Sequence, residues 1–259
     1  MRRKIDNGTP RIVLCLGLKS SGSTWLFNAV AGILRHATRG RRNRNVVALY
    51  ADDFSMLPER AALASTLVVK SHEPSDALMF LARFARAKIL VSVREPRDAV
   101  ASLMLRFHHA FEPTLKDMER QSASVARWTS RQNAAVFRYE DLFFEDRGTI
   151  DRLAAVLGAK ISAAAGNRLF RSLERERVRK KIATLAEKGK FGSRPGPDSF
   201  DPVTHWHPGH VGDGKVGKFE AVLTPAQQRR VVAATRAYCR TFGYVPAPAK
   251  SVSRRKSAR

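Results

Sequence analysis

The stretch from residue 11 to residue 34 constrains the fold more than any other part of the chain. A short continuous apolar run at 11–16 enters Gly17-Leu-Lys-Ser-Ser-Gly-Ser-Thr24, and residues 25–34 then carry apolar side chains at helical spacing. In strand–glycine loop–helix order, the backbone N–H groups of the loop and of the helix N-terminus surround a phosphate without needing side-chain charge. Gly17 and Gly22 have the spacing of the nucleotide-triphosphatase loop, but Ser23 stands where that loop has its lysine. The loop's own lysine, Lys19, lies before Gly22. The bland alternative is a Gly/Ser turn without a ligand; the context favours a phosphate-binding loop, and other residues must say whose phosphate it holds.

Downstream, strands and helices alternate. Residues 45–50 and 66–70 read as buried strands, and 75–86 as a helix capped at Ser75. Residues 88–93 form the clearest strand, with a helix behind Pro96 over 97–108; 134–138 reads as a strand and 149–157 as a helix closed by Gly158. The alternation predicts a single-domain, P-loop-like α/β fold, a central parallel sheet with helices on both faces and ligands at the carboxyl ends of the strands. Beyond Gly158 the chain turns helical and basic. Residues 189–217 are rich in Gly, Pro and His without periodicity, and a last helix runs from Thr224-Pro225 to about 242. The expected organisation is a basic extension at 1–10, a domain at 11–245 and a basic tail at 246–259.

A chain of 259 residues can bury a full core. Its two cysteines, Cys15 and Cys239, stand far apart and make no disulfide framework, which points to a reducing compartment. No signal-type segment and no run near the ~20 apolar residues of a membrane span is present; the expectation is a soluble cytoplasmic protein. A formal charge of +24 attracts polyanions: nucleic acid, an anionic membrane surface, or a substrate with several phosphates. Part of it sits in solvated runs at 39–44 and 250–259.

Two further strand ends carry chemistry. Arg94 closes one strand and Ser102 lies about two helical turns on, an arginine fork and a hydroxyl suited to a phosphate monoester; the alternative is an ordinary pairing of Arg94 with Glu95 or Asp98. Lys70 and His72 close another strand on the same face. An imidazole there can deprotonate a hydroxyl near neutral pH, and the lysine can stabilise charge on a departing oxygen.

With these residues in place, the chain resembles the cytosolic-type sulfotransferases that use 3′-phosphoadenosine-5′-phosphosulfate (PAPS). Lys19-Ser-Ser-Gly-Ser-Thr-Trp25 resembles their 5′-phosphosulfate loop, Lys70-Ser-His72 their Lys-Thr-His segment, and Arg94 to Ser102 their Arg-x7-Ser motif for the 3′-phosphate. Arg138-Tyr-Glu-Asp-Leu142 is similar to their Tyr-Glu-Asp segment, and Gly209-His-Val-Gly-Asp-Gly-Lys215 to the loop that closes over the cofactor. The resemblance implies sulfuryl transfer to a hydroxyl or amine acceptor, with 3′-phosphoadenosine-5′-phosphate (PAP) as product and no metal. It implies that Lys19, Ser20, Ser21, Gly22, Ser23 and Thr24 hold the phosphosulfate, that Trp25 and Tyr139 form the adenine pocket, and that Arg94 and Ser102 bind the 3′-phosphate. His72 becomes the general base, with Lys70 or Lys19 at the leaving group.

The chain departs from the family twice. Lys19 stands three residues before Gly22 rather than two, and the closing loop has His207-Pro208 in place of an Arg-Lys pair and Gly214 in place of a tryptophan. Gly209 and Lys215 of that loop are expected at the cofactor, and His207, Lys215, Lys218 or backbone N–H groups are left to complete the 3′-phosphate site. His205, His207 and His210 have a weak zinc-like spacing but read as solvated loop histidines. The acceptor pocket is expected from 107–122 and 187–207, and Arg106, His108 and His109 hint at an anionic acceptor such as a sugar, glycan or lipid. The rival readings are a P-loop kinase or nucleotidase using Mg-ATP through Asp52 and Asp53, and a basic nucleic-acid-binding module.

Overall fold

The structure is a computed structural model that describes residues 11–39, 45–130, 133–191 and 200–244. The extension at 1–10, the tail at 246–259 and most of the basic run at 39–44 lie outside the described residues.

The chain runs β1 (Ile12–Gly17), α1 (Ser23–Thr38), β2 (Val46–Tyr50), α2 (Glu59–Ala62), β3 (Thr66–Ser71), α3 (Asp76–Phe84), β4 (Lys88–Val93), α4 (Pro96–Phe107) and α5 (Phe111–Ser130). It continues through β5 (Ala135–Arg138), α6 (Gly148–Val156), α7 (Ala163–Ser172), α8 (Arg175–Glu187), α9 (Phe219–Val222), α10 (Pro225–Ala234) and α11 (Arg236–Phe242). The five strands form one parallel sheet in the order β2-β3-β1-β4-β5. β1 is central, with Cys15 opposite Lys70 on one side and Leu90 on the other. The chain leaves β1 for one edge, returns in β3, and crosses over to β4 and β5. Ligands of such sheets bind where the direction of winding reverses, here at the carboxyl ends of β3, β1 and β4.

Both faces of the sheet are buried, which is why its strands read as apolar runs rather than alternating ones. Leu14, Leu16, Val69, Val91 and Val93 pack with Val100 of α4, Met118 and Val125 of α5, and Tyr238 of α11. Val13, Cys15, Val68, Leu90 and Phe137 face the other way, against Phe27, Val30 and Leu34 of α1 and Ile150 and Leu153 of α6.

The predicted alternation and parallel sheet are present. Two elements differ from the sequence reading. α5 occupies most of a segment assigned only to a variable pocket wall; Pro113 lies in its first turn, where proline is tolerated, and its buried face includes Thr114, Gln121 and Ser122, which dilute the apolar period. The last helix is two helices. Thr235 takes φ −104°, ψ 19° between α10 and α11, and its hydroxyl donates to the Val231 carbonyl at 2.8 Å, competing with the helical ladder.

Candidate active site

The loop after β1 turns on two left-handed residues, Ser20 at φ 64° and Gly22 at φ 80°. A Cβ on Gly22 would meet the Phe143 ring at 2.9 Å, so glycine serves both the turn and the packing. α1 starts at Ser23 without a side-chain cap, so the first-turn N–H groups of Ser23, Thr24 and Trp25 have no helical acceptor and face the loop. Ser21 is buried and inward: its Oγ donates to the Leu18 carbonyl and lies 2.7 Å from Ser92 Oγ of β4. Lys19 is held by α5, its N–H donating to Gln121 Oε1 at 3.0 Å and its Nζ to Asp117 at 3.4 Å. The displaced loop lysine therefore rests on α5.

At the end of β3, Lys70 is buried and its Nζ donates to Thr24 Oγ1 at 2.7 Å, tying the strand end to the loop. Burial lowers its pKa to about 8, against the pull of Asp52, which raises it. His72 is also buried, with Nδ1 2.6 Å from the Gly17 carbonyl oxygen. A carbonyl only accepts, so Nδ1 carries the proton and Nε2 holds the free lone pair. Burial, then the neighbouring Lys70, lowers the His72 pKa to about 3 and keeps the ring neutral. Asp52, at the end of β2, fixes the backbone beneath: Oδ1 accepts from Ser71 Oγ at 2.5 Å, His72 N–H at 2.9 Å and Glu73 N–H at 3.0 Å, and Oδ2 from the Tyr50 hydroxyl. Burial raises the Asp52 pKa, but these donors outweigh it and hold the carboxyl below its ordinary range. Asp53 accepts from Ser55 N–H at 2.9 Å and Oγ at 2.7 Å. Both carboxylates of the supposed magnesium segment are thus engaged within the protein.

Arg94 is 1% exposed at the end of β4. One guanidinium nitrogen donates to the Ser20 carbonyl and another to the Lys215 carbonyl, each at 3.0 Å, so the side chain bridges the first glycine loop and the closing loop. The pairing with Asp98 exists as well, at 3.6 Å, and Asp98 also accepts from Gly217 and Phe219 N–H at 2.7 and 3.1 Å. The guanidinium lies 3.9 Å from the centroid of Tyr139, stacked on its face, and Arg94 Nε has no hydrogen-bond partner. Ser102 is buried on α4. Beneath Arg94, the Tyr238 hydroxyl accepts its N–H at 3.0 Å and donates to its carbonyl at 3.1 Å. Trp25 is buried between Phe143 and Phe170, with Nε1 unpartnered. Lys215 is exposed and offers its carbonyl to Arg94, while the Gly209 carbonyl accepts from Arg106.

A cavity of about 330 Å³ opens at this sheet edge, lined among others by Gly22, Thr24, Lys70, His72, Tyr139 and Trp206. The histidines around it are not the solvated set expected. His205 is buried and His210 partly so, and burial lowers the pKa of both, His205 to about 3. Among the described residues, no three potential metal ligands converge. Sequence reasoning missed Asp52 as the anchor of the His72 segment and Tyr238 as the anchor of Arg94. An acid two residues after a strand was the available signal for the first; a tyrosine in a late helix gave none for the second.

The profile of the sulfotransferase domain family matches residues 10–238. The chain belongs to the sulfotransferase family. By sequence, no curated protein matches it. Among solved structures, this sulfotransferase is similar to mouse sulfotransferase SULT7A1 complexed with PAP, with TM-score 0.60 and 14% identity over 92% of this chain and 87% of that one. It is also similar to retinol dehydratase in a complex with retinol and PAP, with TM-score 0.53 and 15% identity over 93% and 84%. The complex of retinol dehydratase with androsterone and inactive cofactor PAP matches at TM-score 0.53 and 16% identity, over 89% and 81%. Among the described residues, no helix is long and apolar enough to cross a membrane.

Two of the three histidines whose pKa burial lowers, His72 and His205, give a test in solution. His72 and His205 have pKa values near 3 in the fold against an ordinary value of 6.5, so below 6.5 the unfolded chain binds protons that the fold refuses. Their contribution to stability is complete above pH 6.5 and is lost as pH falls toward 3, at a limiting ~1.4 kcal/mol per pH unit for each. Thermal unfolding from pH 7.5 to 5 should show Tm falling, with a shallower slope in His205→Gln. An identical slope in the variant would mean that His205 titrates normally in the fold.

Proposed function

We propose that this sulfotransferase takes the sulfuryl group from PAPS and places it on a hydroxyl acceptor, with His72 as general base and Lys70 at the leaving group. The observation that carries the assignment is the Nδ1 contact of His72 with the Gly17 carbonyl, which fixes the tautomer and leaves Nε2 as the basic nitrogen of a residue that lines the cavity. The residues present fit the donor. The first-turn N–H groups of α1 and the loop suit a 5′-phosphosulfate, and the unpartnered Arg94 Nε, with Ser102, suits a 3′-phosphate. Trp25 and Tyr139 suit the adenine ring. The PAP in the similar structures is consistent with this reading.

In the transfer, the acceptor oxygen forms a bond to sulfur as the sulfur–oxygen bond to the 5′-phosphate breaks. The bonding pair leaves on that phosphate oxygen, and the acceptor proton goes to His72 Nε2. Lys70, protonated below its pKa of about 8 and fixed on Thr24, places its charge beside the loop where negative charge grows. Lys19, held on Asp117, is the weaker claimant for that role.

Calorimetry should show PAP binding that EDTA leaves unchanged. Magnesium-dependent binding of ATP in its place would favour a kinase. With labelled PAPS and an extract of the source cell, Lys70→Met should reduce labelled product formation by about 10²–10³-fold while PAP still binds; wild-type turnover in Lys70→Met would remove Lys70 from the chemistry.

A further inference from the structure

His205 is used by none of the steps above. It is 7% exposed, lines the cavity and has an Nε2 with no hydrogen-bond partner. Its backbone is left-handed, at φ 56°, an uncommon state for a side-chain-bearing residue that persists only where the surroundings impose it. They do so here. The His205 N–H donates to the Asp201 carbonyl at 2.8 Å, the Asp201 carboxylate accepts from Thr204 N–H at 2.8 Å, and Asn28 of α1 donates to the Thr204 carbonyl at 2.8 Å. The fold thus holds in place an imidazole that lines the cavity and whose buried Nε2 is unsatisfied.

Tyr50 packs beside both imidazoles, its ring centroid 5.8 Å from that of His72 and 6.2 Å from that of His205. The Tyr50 hydroxyl is given to Asp52, so what Tyr50 offers the cavity is its flat ring. Leu103, Phe107, Trp206 and Val211 add apolar wall. The cations at the rim are turned to protein oxygens: Arg106 to the Gly209 and His210 carbonyls, Arg175 to Asp213 and Glu145, and Lys19 to Asp117. An anionic acceptor, as Arg106 suggested from sequence, finds these charges already engaged. A flat, uncharged body finds the Tyr50 ring to lie on and two histidines beside that ring, His72 and His205.

We propose that His205 is a specificity-determining residue whose Nε2 hydrogen-bonds a second hydroxyl of the acceptor, so that the pocket selects a flat apolar molecule with two hydroxyl groups, one at His72 and one at His205. The inference rests on the sulfotransferase reading.

The test uses the full chain, with 2-naphthol and the dihydroxynaphthalene isomers as probes and PAPS as donor, after PAP binding has been measured for each variant. At least one dihydroxy isomer should exceed 2-naphthol by about tenfold or more in kcat/KM. His205→Phe, which keeps a ring but removes the nitrogen, should abolish that advantage through KM, bringing the kcat/KM ratio of the dihydroxy isomer to 2-naphthol down to about one, while PAP affinity stays as in the wild type. His205→Gln should restore part of it. Wild-type protein that binds PAP but treats all the probes alike, or turns over none, overturns the inference, as does equal loss on both probe types in His205→Phe. Failure of the wild type to bind PAP is a separate result that removes the sulfotransferase reading and this inference with it.

Discussion

Replacing His72 by alanine is expected to lower the rate of sulfuryl transfer by about 10²–10⁴-fold and leave PAP affinity nearly unchanged. The ring touches the loop through a single contact, Nδ1 to the Gly17 carbonyl, and the backbone of the segment is held independently by Asp52, which grips the N–H groups of His72 and Glu73. Removing the imidazole therefore takes away the proton acceptor while the donor loop keeps its anchors. His72→Asn is the companion variant: its side-chain amide can still donate toward Gly17 but has no basic nitrogen, and it should be as inactive as alanine. Wild-type turnover in either variant, measured with labelled PAPS, would end the assignment of His72 as base.

Arg94→Met is expected to act on both stability and the donor site. The methionine removes the two bonds that join the Ser20 and Lys215 carbonyls and leaves Asp98 buried without its cation. Breaking a buried pair in this way costs about 3–5 kcal/mol. The two N–H groups still donating to Asp98 favour the lower end of that range. At about 3 kcal/mol, a domain of this size should lose on the order of 6–12 °C in Tm. PAP affinity should fall by about 10- to 100-fold, the worth of a charged hydrogen bond. Arg94→Lys keeps the charge without the fork and separates the effects: it should recover stability toward Asp98 but not the bridging of two loops. Unchanged PAP affinity in a folded Arg94→Met protein would show that the arginine serves only to join the loops.

The order of the strands and the glycine loop were legible because burial on both sheet faces writes strands as apolar runs, and because Gly17, Lys70, His72 and Arg94 lie at or directly after a strand end, with Gly22 directly before α1. Position in the chain was enough to place them. What the sequence did not disclose depends on partners far away. Lys19 looks like a loop cation until Asp117 and Gln121 arrive beneath it on α5, a helix hidden by its own buried polar residues. His205 looks like a solvated histidine because its segment has no period; its burial follows from Asp201 and Asn28, whose bonds close over it. Asp52 has the look of a metal ligand, and only the three-dimensional positions of Ser71, Tyr50 and the His72 amide show its lone pairs to be occupied.

The double contact between Tyr238 and the backbone of Arg94 spans 144 residues. During synthesis, therefore, the strands, the glycine loop and the base segment all emerge before the hydroxyl that steadies Arg94 exists. Long-range closures of this kind come late and slowly in folding. A nascent chain halted before α11 would carry all five strands of the sheet with an unsupported Arg94, so the support of that arginine arrives only with α11.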